Sequence, residues 1–378
     1  MTNRDSFGDL PAGYEAGYVD SLSNRSHSRS NGHDLNVGFN YSDDTWMFNA
    51  SLGVTPQKRT IDRKVGKLYA DTTMRTIDYQ PMIWLSWRKK KMRVSLNYNG
   101  RTRQPSLSDL MPLTDNSDPL YITRGNPDLK QMFMHTMHVS FQHPSKGISA
   151  NLGWQMEKNS VTQVVLYDVQ TGGRETYPIN INGNWNTYGS ADWWKRFGHF
   201  SLKLSTSGRH SNRVSMINED RSQQPEKSTT RDTGLNCEMA ASYQPTWGGF
   251  DFSTSWDYQY SLNSLNDNNT YTRYYNFRFD GYVDFPFGLQ LRTDAGYILR
   301  SGTNIQKGED DEIVWNARAT WRFLKQRKAE LSACWADILG KRKSYARMAT
   351  SDGFYESRTQ EIKGYFIVTF KYNFRLMM

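Results

Sequence analysis

Residues 250 to 260 read FDFSTSWDYQY. Phe250, Phe252, Thr254, Trp256, Tyr258 and Tyr260 alternate with Asp251, Ser253, Ser255, Asp257 and Gln259. In an extended strand successive side chains point to opposite faces, so a period of two gives one largely apolar face and one wet face. On a helix the same residues would be scattered around the cylinder.

The pattern recurs on both sides. Val94, Leu96 and Tyr98 alternate with Arg93, Ser95 and Asn97. Ile148, Ala150, Leu152, Trp154 and Met156 follow it, as do Phe200, Leu202 and Leu204, and Leu235, Cys237, Met239, Ala241 and Tyr243. Toward the end come Ile313, Trp315, Ala317, Ala319, Trp321 and Phe323, then Phe366, Val368, Phe370, Tyr372 and Phe374. Of the 378 residues only 37% are hydrophobic, yet 14% are aromatic, so large rings carry the apolar surface amid many polar residues. A disordered chain is poor in rings, and a helical membrane protein needs a run of about 18 apolar residues. Neither pattern is present.

Short and long connections alternate between the runs. Short links fall near Asp43-Asp44, Arg88 to Lys91, Pro144 to Gly147, Arg196 to Gly198, Pro245 to Gly249, Pro286 to Gly288 and Lys325 to Lys328. Long polar links fall near 56–72, 104–128, 216–230, 301–310 and 339–357. Short turns on one rim and long loops on the other are the habit of transmembrane barrels, with the short side periplasmic. Rings flank the short turns: Trp87, Trp193 with Trp194, Trp247, Phe285 and Phe323. Amphipathic rings settle at headgroup level, so this row reads as an aromatic girdle.

The expected fold is all-β: an antiparallel transmembrane β-barrel of about 15–16 meandering strands, incomplete if the chain is part of a longer one. Residues 1–31 hold a first strand, near 12–22, and a loop; residues 32–378 hold the barrel portion. The amino terminus lacks the basic start and apolar core of a secretory signal, so a removed signal or a longer parent chain is expected. Cys237 and Cys334 have no metal or redox spacing and read as small apolar strand residues. The net charge of +9 lies in short turns and in alternation along strands, which favours a membrane surface and argues against nucleic acid.

Residues 101–129, RTRQPSLSDLMPLTDNSDPLYITRGNPDL, add a family likeness. They resemble the barrel region of TonB-dependent receptors of the Bacteroidota outer-membrane beta-barrel type. In that region Arg and an early Pro, here Arg103 and Pro105, lead into Leu-x-Pro, Asp-Pro-Leu and Gly-Asn-Pro-x-Leu. The counterparts are Pro112, Asp118 with Pro119, and Gly125, Asn126 and Pro127. The Ala333 to Leu339 strand and the closing FIVTFKYNF are also similar, and Phe374 resembles the carboxy-terminal signal read by the barrel assembly machinery. The resemblance implies an amino-terminal plug and a TonB-engaging segment, neither recognisable in this sequence, and import of iron chelates, cobalamin, glycans or peptides. Expected partners are outer-membrane lipid and lipopolysaccharide, the assembly machinery, the TonB complex through a plug, and a small-molecule, glycan or peptide cargo. Without any family, the three prolines cannot donate ladder hydrogen bonds and Gly125 can take positive φ, so the loop is expected to fold into a compact extracellular cap.

Little else suggests chemistry. His135 and His138 lie an odd number of strand positions apart and face opposite ways. His27 and His33 sit in a Ser- and Asn-rich stretch read as a loop, and Glu309 to Glu312 as a charged loop edge that offers calcium oxygens. No nucleophile elbow, zinc-protease motif or phosphate-binding glycine loop stands out, so neither enzyme activity nor a cofactor is expected. The alternatives to energised import are a structural or adhesive barrel and a passive pore.

Overall fold

The computed structural model describes residues 2–4, 24–65, 68–111, 114–115, 118, 120–167, 172–218, 225–265, 269–303, 305, 311–350, 353–359 and 361–373. The strand expected at 12–22, and Pro112, Pro119, Glu309, Asp310 and Phe374, lie outside them.

The first strands are β1 (Thr2–Arg4), β2 (Asn24–Gly32), β3 (Leu35–Ser42), β4 (Trp46–Val65), β5 (Leu68–Lys89) and β6 (Met92–Arg103). A short helix, α1 (Leu107–Leu110), precedes β7 (Thr114–Asp115), β8 (Tyr121–Arg124), β9 (Met132–His143), β10 (Ile148–Lys158), β11 (Ser160–Tyr167) and β12 (Arg174–Ile181). Next come β13 (Trp185–Phe197), β14 (Phe200–Ile217), β15 (Glu226–Tyr243), β16 (Gly248–Asn263), β17 (Thr270–Asp284) and β18 (Leu289–Gly302). The last are β19 (Glu312–Phe323), β20 (Ala329–Ala336), β21 (Ser344–Thr350), β22 (Gly353–Thr359) and β23 (Tyr365–Tyr372). No helix among the described residues is long and apolar enough to cross a membrane.

Two compact units divide the chain: Met1–Ser140, Leu152–Thr187 and Ser211–Thr230 form one, and Phe141–Asn151, Tyr188–His210 and Arg231–Met378 the other. In the first, β2 and β3 act as one strand against β4. Residues 24–32 pair with 65–57 and residues 35–42 with 54–47, so His33 and Asp34 interrupt the strand without shifting its register. The break lies opposite Pro56, which has no N–H to give the ladder; its carbonyl still accepts from His33 N at 3.1 Å. In the second unit β16, β17, β18, β19, β20 and β23 form an unbroken antiparallel ladder. With β2 and β3 taken as one, and with β1, the loop segments β7, β8, β11 and β12 and the β21–β22 hairpin set aside, the described residues hold fifteen hairpin strands. The fold is the expected all-β antiparallel barrel class.

Three expectations need correction. Residues 56–65 and 68–72 are strand and not loop: β4 and β5 stay paired from Trp46 opposite Trp87 up to Val65 opposite Leu68. Thr60, Ile61, Thr72 and Thr73 are β-branched and suit extended backbone, and polarity does not end a strand that has left hydrocarbon. His27 therefore lies in β2, 3.7 Å from Asp62, and not in a loop. Likewise, the link at 339–357 contains the β21–β22 hairpin.

The apolar faces are bare. Val37 is 77% exposed, Phe39 61% and Phe370 62%, and each is flanked along its strand by polar residues or glycine. A water-soluble sheet would cover such a face, whereas lipid covers it in a membrane. Trp256, opposite Tyr275, lies well inside the wall, eight residues from the start of β16; Phe370, opposite Leu331, is only two positions from the last pair of its ladder. Trp256→Arg is therefore expected to cost about 2–4 kcal/mol of folding stability and Phe370→Arg about 0–1, while Ser255→Arg on the polar face is tolerated. Heat-modifiable gel mobility across a denaturant series measures this, and equal effects at positions 255 and 256 would refute the assigned faces.

Turn chemistry closes the short ends. Asp43 Oδ1 accepts from Thr45 N at 2.7 Å and Trp46 N at 2.6 Å, and Oδ2 accepts from the Tyr41 hydroxyl at 2.7 Å. These bonds, that from the Trp46 amide foremost, hold the Asp43 carboxyl below the usual carboxylate range. A depressed folded pKa contributes stability above the unfolded value of about 3.9, lost as pH falls through the folded one. The stability gap between wild type and Asp43→Ala should thus be present at pH 7 and shrink below about pH 4, by thermal unfolding in detergent.

Candidate functional site

In the first unit the loop joining β6 to β9 folds back on the β11–β12 hairpin. Ser106 caps α1, its Oγ accepting from Asp109 N at 3.1 Å. Asn126 N donates to Asp109 O at 2.5 Å and Asn126 Nδ2 to Pro178 O at 3.0 Å. Asn180 answers from the hairpin: its Oδ1 accepts from Lys130 N at 2.7 Å, and its Nδ2 donates to Lys130 O and Asn159 O, each at 2.9 Å. At the loop's base, Gln104 Nε2 donates to Asp78 and to Gln131 Oε1, and Arg59 Nη1 donates to Pro105 O at 3.2 Å.

This cap has an interior. Among the described residues, the buried hydrophobic side chains are Ile61, Leu110, Met111, Leu129, Met132, Val164, Ile181 and Val214, all in the first unit, and Ala329 alone outside it. Met111 is 0% exposed and Leu110 2%. Strand walls bury little because their apolar face is reserved for lipid; the loops pack as a water-soluble protein does.

The motif residues divide by role. Pro105, Gly125 and Asn126 are built into the cap, whereas Arg103 is exposed at the end of β6. The Asp118 carboxylate accepts from Leu120 N at 2.9 Å, and Asn126 Oδ1 from Asp128 N at 3.0 Å, bending the chain through Pro127. Gly125 corrects an expectation: it does not use positive φ. Its glycine is needed because a Cβ there would overlap the Met111 carbonyl.

A group that neither segment announces by itself emerges at the cap's edge. β8 and β12 pair in parallel, Tyr121 with Arg174, Ile122 with Glu175 and Thr123 with Thr176. The Arg174 guanidinium sits 4.7 Å from the Tyr121 ring centre, and Arg124 sits 4.8 Å from that of Tyr177 and 3.1 Å from Glu175. The couples Tyr121-x-x-Arg124 and Arg174-x-x-Tyr177 are the one sequence signal, and only a parallel ladder brings them together. Guanidinium planes over rings present flat, adaptable surfaces to carboxylates, hydroxyls and sugar rings.

The polar face of the second unit is a charged ladder. Asp251, Asp280, Asp294 and Asn316 oppose one another across β16 to β19. Arg292 grips Asp280 at 2.9 and 3.1 Å, Asn316 Nδ2 donates to Asp294 at 2.6 Å, and Arg322 pairs with Glu330 at 2.9 Å. Asp311 and Glu312 serve Arg300, through its N–H and its guanidinium, each at 2.9 Å. Among the described residues no group of three or more His, Cys, Asp or Glu could hold a metal.

The rings expected to form a girdle lie near the short turns. Trp87 meets Trp46 at 6.3 Å, Trp247 meets Phe250 at 5.6 Å, Phe285 meets Phe287 at 5.5 Å and Phe323 stacks on Trp321 at 4.7 Å. As neighbours in β13, Trp193 shares the face of Ala191 and Trp194 that of Asp192.

Gly125→Ala should loosen the cap by about 2–4 kcal/mol without dissolving the wall. Hydrogen exchange would show faster exchange over residues 107–131 and 174–181, with β16 to β20 unchanged; unaltered cap protection would contradict the packing.

Residues 73–230 match the model of the Outer membrane protein beta-barrel family, a span that begins in β5 and contains the whole cap loop and the β11–β12 hairpin. No curated protein matches the chain. Among solved structures, OmpT (in-vitro folded), an outer membrane protein of Vibrio cholerae, is 6% identical over 92% of this chain and 97% of its own, with a TM-score of 0.32. A bacterial polysaccharide outer membrane secretin is 10% identical over 94% of this chain and 100% of its own, with a TM-score of 0.27. Likenesses this slight carry no argument. Strand faces too apolar for water, rings gathered at the short turns, and the match over residues 73–230 make the chain an outer-membrane β-barrel protein.

Proposed function

We propose that the chain is the barrel part of a TonB-dependent receptor that imports a nutrient across the outer membrane. The observation that carries this reading is the cap: the loop whose motifs resemble those receptors is closed around buried Leu110, Met111 and Leu129, and offers an Arg and Tyr edge. A passive pore needs no loop with a core of its own. In this reading the charged ladder lines the lumen, the cap edge captures cargo, and a plug links the barrel to TonB. Cargo rich in hydroxyl or carboxylate groups, a glycan or a peptide, suits guanidinium and ring surfaces.

In cells making the protein from its native locus, uptake of such cargo should stop when TonB is deleted. Tyr121→Ala with Arg174→Ala should lower it about tenfold, the scale of about 1.4 kcal/mol in capture, with surface levels unchanged. Uptake indifferent to TonB, or steady conductance of the purified protein in planar bilayers, would favour a pore; no uptake with retained surface adhesion would favour an adhesive barrel.

A further inference from the structure

The outward face of the β2–β4–β5 ribbon changes character abruptly along its length. From the turn end, this face carries Trp46, Phe48, Leu52 and Val54 on β4, Phe39, Val37 and Leu35 on β3, and Ile83, Tyr79 and Ile77 on β5. One row beyond Pro56 and Ile77 stand Asn31, Lys58 and Arg75, and in the next row Arg29, Thr60 and Thr73.

Lys58 and Arg75 are directly opposed, and Arg29, opposite Thr60, is diagonal to Lys58. Direct neighbours in such a ladder have Cβ atoms about 5 Å apart and diagonal ones about 7–8 Å, so like charges placed this way repel. Among the described residues none of the three cations has a hydrogen-bond or ion-pair partner. The nearest acids on this face, Asp62 and Asp71, lie two rows beyond Lys58 and Arg75 and one row beyond Arg29. Asp62 is already approached by His27 at 3.7 Å and the Tyr69 hydroxyl at 3.5 Å. Thr60 and Thr73, whose hydroxyls are 3.3 Å apart, lie between and can donate to an anion.

Depth sets the occupant. Twelve residues separate the Trp46 and Trp87 pair from the Lys58 and Arg75 pair. At about 3.3 Å per residue and a tilt of about 45°, that is roughly 40 Å along the strand and 28 Å in height, close to the hydrocarbon thickness of about 30 Å. With the Trp pair at the periplasmic interface, the cations stand at the opposite one, facing the outer leaflet and not the lumen.

The geometry points to Arg29, Lys58 and Arg75 as a binding site for the phosphate groups of an outer-leaflet glycolipid, the phosphorylated sugar head of lipopolysaccharide. Its acyl chains lie along Leu35, Val54 and Tyr79, while the phosphate oxygens take charge-assisted bonds from guanidinium and ammonium groups and relieve their repulsion. The site does not depend on the import reading.

The test is binding of the purified full chain to phosphorylated lipopolysaccharide, the same glycolipid after phosphatase treatment, and phosphatidylglycerol nanodiscs. The expected result is at least tenfold tighter binding of the phosphorylated glycolipid than of either other lipid, a preference abolished by Lys58→Gln with Arg75→Gln. If that variant lacks heat-modifiable mobility, Thr73→Asp places the opposing charge while keeping both cations and should also abolish the preference. Equal binding of the dephosphorylated form, equal binding of phosphatidylglycerol, or a folded variant that keeps its preference would each overturn the proposal.

Discussion

Hydrocarbon offers no partner to a peptide N–H or C=O. Every strand crossing it must satisfy its backbone through its neighbours, and every side chain turned outward must be content without water. The long registers of β4 with β5 and of β16 through β20 answer the first demand. The bare rings of β3 and β23 answer the second. The polar face follows, because a period of two leaves its side chains nowhere else to go.

Two economies of burial coexist in one chain. In the walls, lipid replaces a protein core, and side chains as large as Phe252 and Trp335 stay exposed on the protein's own surface. In the cap, water is the surrounding solvent, so Met111, Val164 and Ile181 must be covered by protein, with Asn126 and Asn180 holding the covering backbone in place. A mutation therefore has opposite meanings in the two regions. A charge is ruinous on one side of β16 and harmless on the other, whereas in the cap the loss of a few methyl groups matters.

Much of the wall was legible because alternation is a local signal. Phe250 to Tyr260 announces its two faces without knowledge of any neighbour. What escaped is non-local or concerns steric room. The extension of β4 and β5 beyond the apolar band was hidden because loops and solvated strands share the same polar residues. Tyr121 and Arg174 lie far apart in the chain, and nothing in either segment foretells a parallel pairing. Gly125 stands out in the sequence for its backbone freedom, yet its role is to make room for Met111 O, a constraint imposed by another residue.

The cap's seams also imply an order of assembly. Asn126 reaches Pro178 across 52 positions of sequence, and β9, β10 and β11 intervene. Closing a free loop of that size is entropically costly, and contacts of such separation form late unless something else brings the ends together. Here the intervening hairpins do so, holding both segments on one rim as they insert. The cap is thus a product of the wall's completion, and its seams close only once the strands between them have paired.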